Sequence, residues 1–257
     1  MRQTFSWLLV AAMSIGVLCA TSAWADEGEK EAKKEKISLD KAPKAVQETI
    51  LKEAGKNKIE GIVEITAGDK KFYKVEWKEN DKDVEMLLGE DGKIIKKEKE
   101  VTIDSVPAPV KETFTKKAGK NEFKEILEIT ENGKTIYEAE WGEKGKATEI
   151  IVTPEGKIVS VTKDVTIDDV PKAVKETMLK EAGANKIEDI EVITEGDKTT
   201  YEAEWIDNGK EVDLKVSPDG KIISKESGEV KKEEKGECEE KGKKEKDEEN
   251  EKDEDND

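Results

Sequence analysis

The 257 residues carry 63 acidic against 46 basic side chains, a net charge of −17, with 42% charged and 34% apolar residues and no histidine. So acidic a chain is repelled by phosphate backbones and anionic lipid heads, which argues against nucleic acid or a membrane surface as partner. The missing histidine removes Ser/His and Cys/His dyads, histidine-ligated zinc and the commonest general base.

At the amino end, Arg2 precedes an apolar run from Trp7 to Leu18, and Ala23-Trp24-Ala25 offers the small-x-small pattern cut by signal peptidase. Residues 1–25 therefore read as a signal peptide, and the product is expected to be exported, periplasmic or secreted. The run is too short for a comfortable membrane span and no other stretch approaches one. Cys19 leaves with the signal, so Cys238 alone remains and no intrachain disulfide is expected. Residues 26–36 are charged, lack apolar periodicity and read as a flexible leader.

From Ile37 the chain repeats. Tyr73-Lys74-Val75-Glu76-Trp77, Tyr137-Glu138-Ala139-Glu140-Trp141 and Tyr201-Glu202-Ala203-Glu204-Trp205 recur at intervals of 64 residues. This period divides the chain into units 37–100, 101–164 and 165–228, with no Gly/Ser-rich linker between them. Each unit opens with a helix. Pro43, Pro107 and Pro171 mark its first turn, Asp168 or Asp169 is placed to accept a bond from the free amides there, and Gly55, Gly119 and Gly183 close it. Its apolar stripe reads Ala42, Val46, Ile50, then Val106, Val110, Phe114, then Val170, Val174, Met178.

Four strands follow each helix. The first (Ile59 to Thr66, Phe123 to Thr130, Ile187 to Thr194) alternates imperfectly, as a bulge would make it. Turns such as Asn132-Gly133 lead into the Tyr-to-Trp strand, whose Tyr, Val or Ala, and Trp share one face and are expected in the core. Asn208-Gly209 leads to a third strand with Val212, Leu214 and Val216, matched by Thr148, Ile150, Val152 and by Val84, Met86, Leu88. Glycine turns at Gly92, Gly156 and Gly220 precede a short fourth strand at Ile94-Ile95, Ile158-Val159 and Ile222-Ile223. The fold class is thus α+β: three tandem repeats, each one helix packed on a four-stranded antiparallel sheet, with neighbouring sheets able to join edge to edge. Residues 229–257, with 15 acids against 8 lysines and no aromatic, read as a disordered tail.

Pro171-Lys172-Ala173-Val174-Lys175-Glu176-Thr177 leading a helix, then Tyr201 to Trp205, then Ser217-Pro218-Asp219-Gly220-Lys221-Ile222-Ile223, resembles the PepSY-like domain of the beta-lactamase-inhibitor-like group, in three consecutive copies over 37–228. The resemblance implies a helix-on-sheet unit used in tandem, with sheets that join into a curved surface. Some members of the group inhibit beta-lactamases or peptidases. Three units, no structural disulfide and a strong lysine and acid bias depart from the inhibitors proper.

No catalytic constellation, phosphate loop or calcium-loop ligand spacing stands out, so no enzyme activity and no cofactor is expected; metal ligands are undetermined. The leading reading is an exported non-catalytic binding module, inhibitor-like by resemblance, that presents a surface of tandem sheets to a protein partner. The alternatives are an envelope or extracellular structural repeat protein and an acidic protein that weakly binds divalent cations. One local rule is broken three times. If Trp77 pairs with Val84, then Glu76 lies opposite Glu85, Glu140 opposite Glu149 and Glu204 opposite Asp213, and like charges so placed are destabilising. These six residues are the candidate binding face, acidic for a basic partner or a divalent cation. Lysines on neighbouring strands, such as Lys157 or Lys221, would neutralise them if the arrangement were merely structural.

Overall fold

The computed structural model describes residues 32–143 and 145–229. The segment read as a signal peptide, and the tail with Cys238, lie outside the described residues. Three helices of 11 residues, α1 (Lys44–Ala54), α2 (Ala108–Ala118) and α3 (Lys172–Ala182), start directly after Pro43, Pro107 and Pro171, which occupy the N-cap position. Asp168 and Asp169 do not cap α3. They sit in the turn before it, where Asp169 accepts bonds from the Thr166 amide and hydroxyl and Asp168 pairs with Lys175 at 2.6 Å. Each helix ends at a glycine of positive φ, Gly55, Gly119 or Gly183, whose N–H bonds back to the last turn.

Strand β1 (Lys33–Lys36) precedes the first helix. Then come β2 (Ile59–Ala67), β3 (Lys70–Glu79), β4 (Lys82–Gly89) and β5 (Ile94–Glu100), followed after α2 by β6 (Phe123–Glu131), β7 (Lys134–Trp141), β8 (Thr148–Val152) and β9 (Ile158–Asp164). After α3 the same order returns as β10 (Ile187–Glu195), β11 (Lys198–Asp207), β12 (Lys210–Val216) and β13 (Ile222–Glu229). All thirteen strands pair in chain order, antiparallel, in one sheet.

Two expectations change here. The four strands after each helix do not form a sheet of their own, because β5 pairs with β6 and β9 with β10 along five residues each. Each fourth strand would otherwise leave an open row of backbone donors and acceptors, and the next unit follows without a linker. The leader is not wholly flexible either: Lys33–Lys36 pairs with β2, placing Lys36 opposite Val63 just as Glu100 lies opposite Leu127. Four charged residues carry no apolar signal, so only the edge of β2 explains this strand. The bulge expected in the first strand of each unit is present in all three, between Ile59 and Gly61, Phe123 and Glu125, and Ile187 and Asp189.

The helices cover one face of the sheet, and beneath them lie three separate cores. In the first, Val46, Ile50 and Ala54 of α1 pack with Ile62, Tyr73, Val75, Trp77, Val84, Met86 and Leu88, and the other two repeat the set. Trp77, Trp141 and Trp205 are 1%, 6% and 1% exposed, which places all three in the cores. Lys97 and Lys225 cover the Trp77 and Trp205 rings at 5.7 and 5.5 Å, while Trp141 meets Phe123 edge-on at 6.0 Å. Each helix is further tied to the turn after the third strand. Thr49, Thr113 and Thr177 donate to the carbonyls of Gly92, Gly156 and Gly220 at 2.8, 2.8 and 2.7 Å. Among the described residues no helix is long and apolar enough to cross a membrane.

Candidate functional site

Strand alternation that turns Tyr73, Val75 and Trp77 toward α1 turns Lys74, Glu76 and Lys78 to the other face. There the expected register holds at all three hairpins: Glu76 opposes Glu85, Glu140 opposes Glu149, and Glu204 opposes Asp213. The acidic rows run further than the sequence suggested. Glu98 extends the first, Glu125 the second, and Asp189 and Glu226 the third. They were missed because the bulge conceals which residues of the first strand meet the hairpin. The fourth strand also continues past its two apolar residues into a charged run.

The three rows are balanced differently. In the first, Lys74 Nζ lies 3.0 Å from Glu76 and 2.8 Å from Glu85, and Lys96 pairs with Glu98. The positions equivalent to Lys74 are Glu138 and Glu202. In the third repeat Lys215 answers Glu202 at 2.5 Å; in the second, Lys124 reaches Glu140 at 2.9 Å. Lys221, a candidate to neutralise Glu204, is held by Asp219 at 2.8 Å instead.

This face is not an open plain. Ile129, Ile151, Ser160 and Ile193 are buried on it although no helix lies over them, as expected where a long, right-twisted sheet curls and its side chains shield one another. The acids share that burial. Desolvation, and secondarily Glu100 and Glu140, push the Glu125 carboxyl up to about 7; desolvation and then Glu140 do the same to Glu149. Glu191 rises to about 8 through desolvation and then Asp189. Glu138 lies well above the ordinary carboxylate range, through desolvation and then Glu149, and its Oε2 is buried with no hydrogen-bond partner. In the first repeat desolvation raises Glu85 as well, but Lys74 works against it. Aligning the three copies and noting Lys74 against Glu138 would have exposed the imbalance from sequence.

A second grouping lies on the last hairpin. Oxygens of Glu204, Glu211 and Asp213 lie within 4.8 Å of one another. Three carboxylates are hard donors of the kind that suits calcium, magnesium or manganese. The sequence had singled out Glu204 and Asp213 but not Glu211.

A family model described as "Putative beta-lactamase-inhibitor-like, PepSY-like" matches residues 21–96, 93–160 and 143–224. No curated protein matches the chain. Among solved structures, it is similar to a DUF2874 family protein from Bacteroides uniformis, with 17% identity over 48% of this chain and 89% of that one and a TM-score of 0.40. A DUF2874 family protein from Bacteroides ovatus matches at 15% identity over 48% and 89%, TM-score 0.39. A BLIP-like protein from Bacteroides fragilis matches at 16% identity over 48% and 86%, TM-score 0.38.

Proposed function

The chain belongs to the PepSY-like, beta-lactamase-inhibitor-like family, and from that membership we propose that it is an exported, non-catalytic binding protein that presents the acidic face of its sheet to a basic protein partner. Export rests on the signal-like amino end. The observation that carries the binding reading is Glu138. Where the first repeat places Lys74 between two opposed acids, the second places a further carboxylate, buried and with an oxygen left without a hydrogen bond. An uncompensated buried acid costs stability, and a cationic side chain from a partner would remove that cost.

The test is Glu138→Lys, which restores the charge arrangement of the first repeat. Native protein should capture one stoichiometric, salt-sensitive partner from the producer's exported fraction. The variant should unfold at a higher temperature and lose that capture at least tenfold. Capture that survives in a stabilised variant would overturn the assignment of this face.

The grouping of Glu204, Glu211 and Asp213 favours a second reading, divalent-cation binding on the last hairpin. Calorimetric titration with calcium should then saturate at low micromolar concentration in the native chain and not in Glu211→Gln. Equal heats in both would remove it.

A further inference from the structure

We propose that the free edge of β13 is completed by a second copy of this chain, onto whose β2 it pairs in place of that copy's β1. This goes beyond partner binding by the acidic face and uses a different surface, the backbone edge of the sheet.

The sheet carries its own pattern for such a junction. Within the chain the fourth strand of one repeat pairs with the first strand of the next twice, with Lys99 opposite Glu128 and Lys163 opposite Val192. A third junction of the same register would set Ser227 of β13 opposite Glu64 of another copy. In the chain itself β1 occupies that place, with Glu35 opposite Glu64. β1 is thus a four-residue substitute for a fourth strand, fully exposed and without an apolar side chain.

Three observations favour the exchange. Ile222 and Ile223 are 46% and 53% exposed, whereas their equivalents Ile94, Ile95, Ile158 and Val159, each next to a following repeat, are partly buried. At the first junction the Ile95 carbonyl accepts the Asn132 amide at 3.1 Å, a bond the same register offers to Ile223 from Gly68 of the second copy. Finally, β1 opposes two glutamates at Glu35 and Glu64, while β13 would bring Lys225 to Thr66, Glu226 to Ile65 and Ser227 to Glu64, with no like charges opposed. Such a contact joins unlike ends and is open, so copies would add in a row. With a net charge of −17 on each copy, the association needs salt to screen it.

Two single-cysteine chains test this, each full length with Cys19→Ser and Cys238→Ser, exported and folded by the criterion of tryptophan burial. The bond from the Ile37 amide to the Ile62 carbonyl puts Ile65 at a non-hydrogen-bonded position, where opposed side chains come within disulfide reach. Glu226→Cys mixed with Ile65→Cys under mild oxidation at about 0.15 M salt should give a cross-linked dimer. Mixed with Glu64→Cys, whose side chain points to the opposite face, it should give at least fivefold less. Deleting Lys33–Lys36 from the Ile65→Cys copy should speed the linkage several-fold. Linkage no faster to Ile65→Cys than to Glu64→Cys, with Lys33–Lys36 present or deleted, would overturn the proposal.

Discussion

Glycine is required at few positions here, and the sharpest is Gly220. Its φ is +82°, and a Cβ there would lie 2.7 Å from the Ala173 carbonyl oxygen on α3. Gly209 has a similar φ of +77° with nothing within 4 Å of that point. Gly209→Ala should therefore cost about 1 kcal/mol for the backbone alone, and Gly220→Ala about 3 kcal/mol because the helix must also move. Urea unfolding of the two variants measures the difference. Trp205→Ala should cost about 3 to 5 kcal/mol, since it empties a ring-sized space in the third core and strips Lys225 of its aromatic face. The tryptophans were readable as core from alternation alone. The cation above two of them was not, because Lys97 and Lys225 lie in a charged run with no apolar period.

At the scale of the strand, the acidic rows make stability depend on pH with a definite sign. Glu125 and Glu149 at about 7 and Glu191 at about 8 hold their protons more tightly in the fold than in the unfolded chain. Stability is therefore fullest where they are protonated, and it falls as pH rises from about 4.5, their unfolded value, through 8. Exposed acids that are held by lysine work the other way. Asp219, lowered to about 2 chiefly by Lys221, loses its contribution only below about pH 4. The thermal midpoint should thus be a few degrees higher near pH 5.5 than at pH 8, and Glu138→Gln should flatten the profile. A midpoint that rises with pH over this range would show that these carboxylates are solvated. The hairpin register could be read from sequence because the 64-residue period aligns every Trp with the residue opposite it. The depth of burial could not, since nothing in a row of glutamates says that the sheet curls over them.

For the whole molecule, three cores under one unbroken sheet make each repeat a unit that still leans on its neighbours. Hydrogen exchange in Trp205→Ala should speed up across residues 165–229 and leave the first repeat protected. In Trp141→Ala, whose repeat carries both junctions, protection should fall on either side as well. Uniform loss in both variants would mean that the sheet unfolds as one. The tandem organisation was readable because the repeat is regular. The join between repeats was only a permitted option, because backbone edges carry no side-chain signature, and β1 was invisible for the same reason.

The strict succession of strands, each bonded only to its predecessor and its successor, has a mechanical consequence. A pull on the two ends of the sheet loads the ladders in series, so the outermost strand peels before the next bears strain. The molecule should yield at low force and lengthen in steps, each full repeat of 64 residues releasing roughly 220 Å of chain. Held between two attachments, such a chain behaves as an extensible tether that gives way one module at a time and refolds when the tension drops.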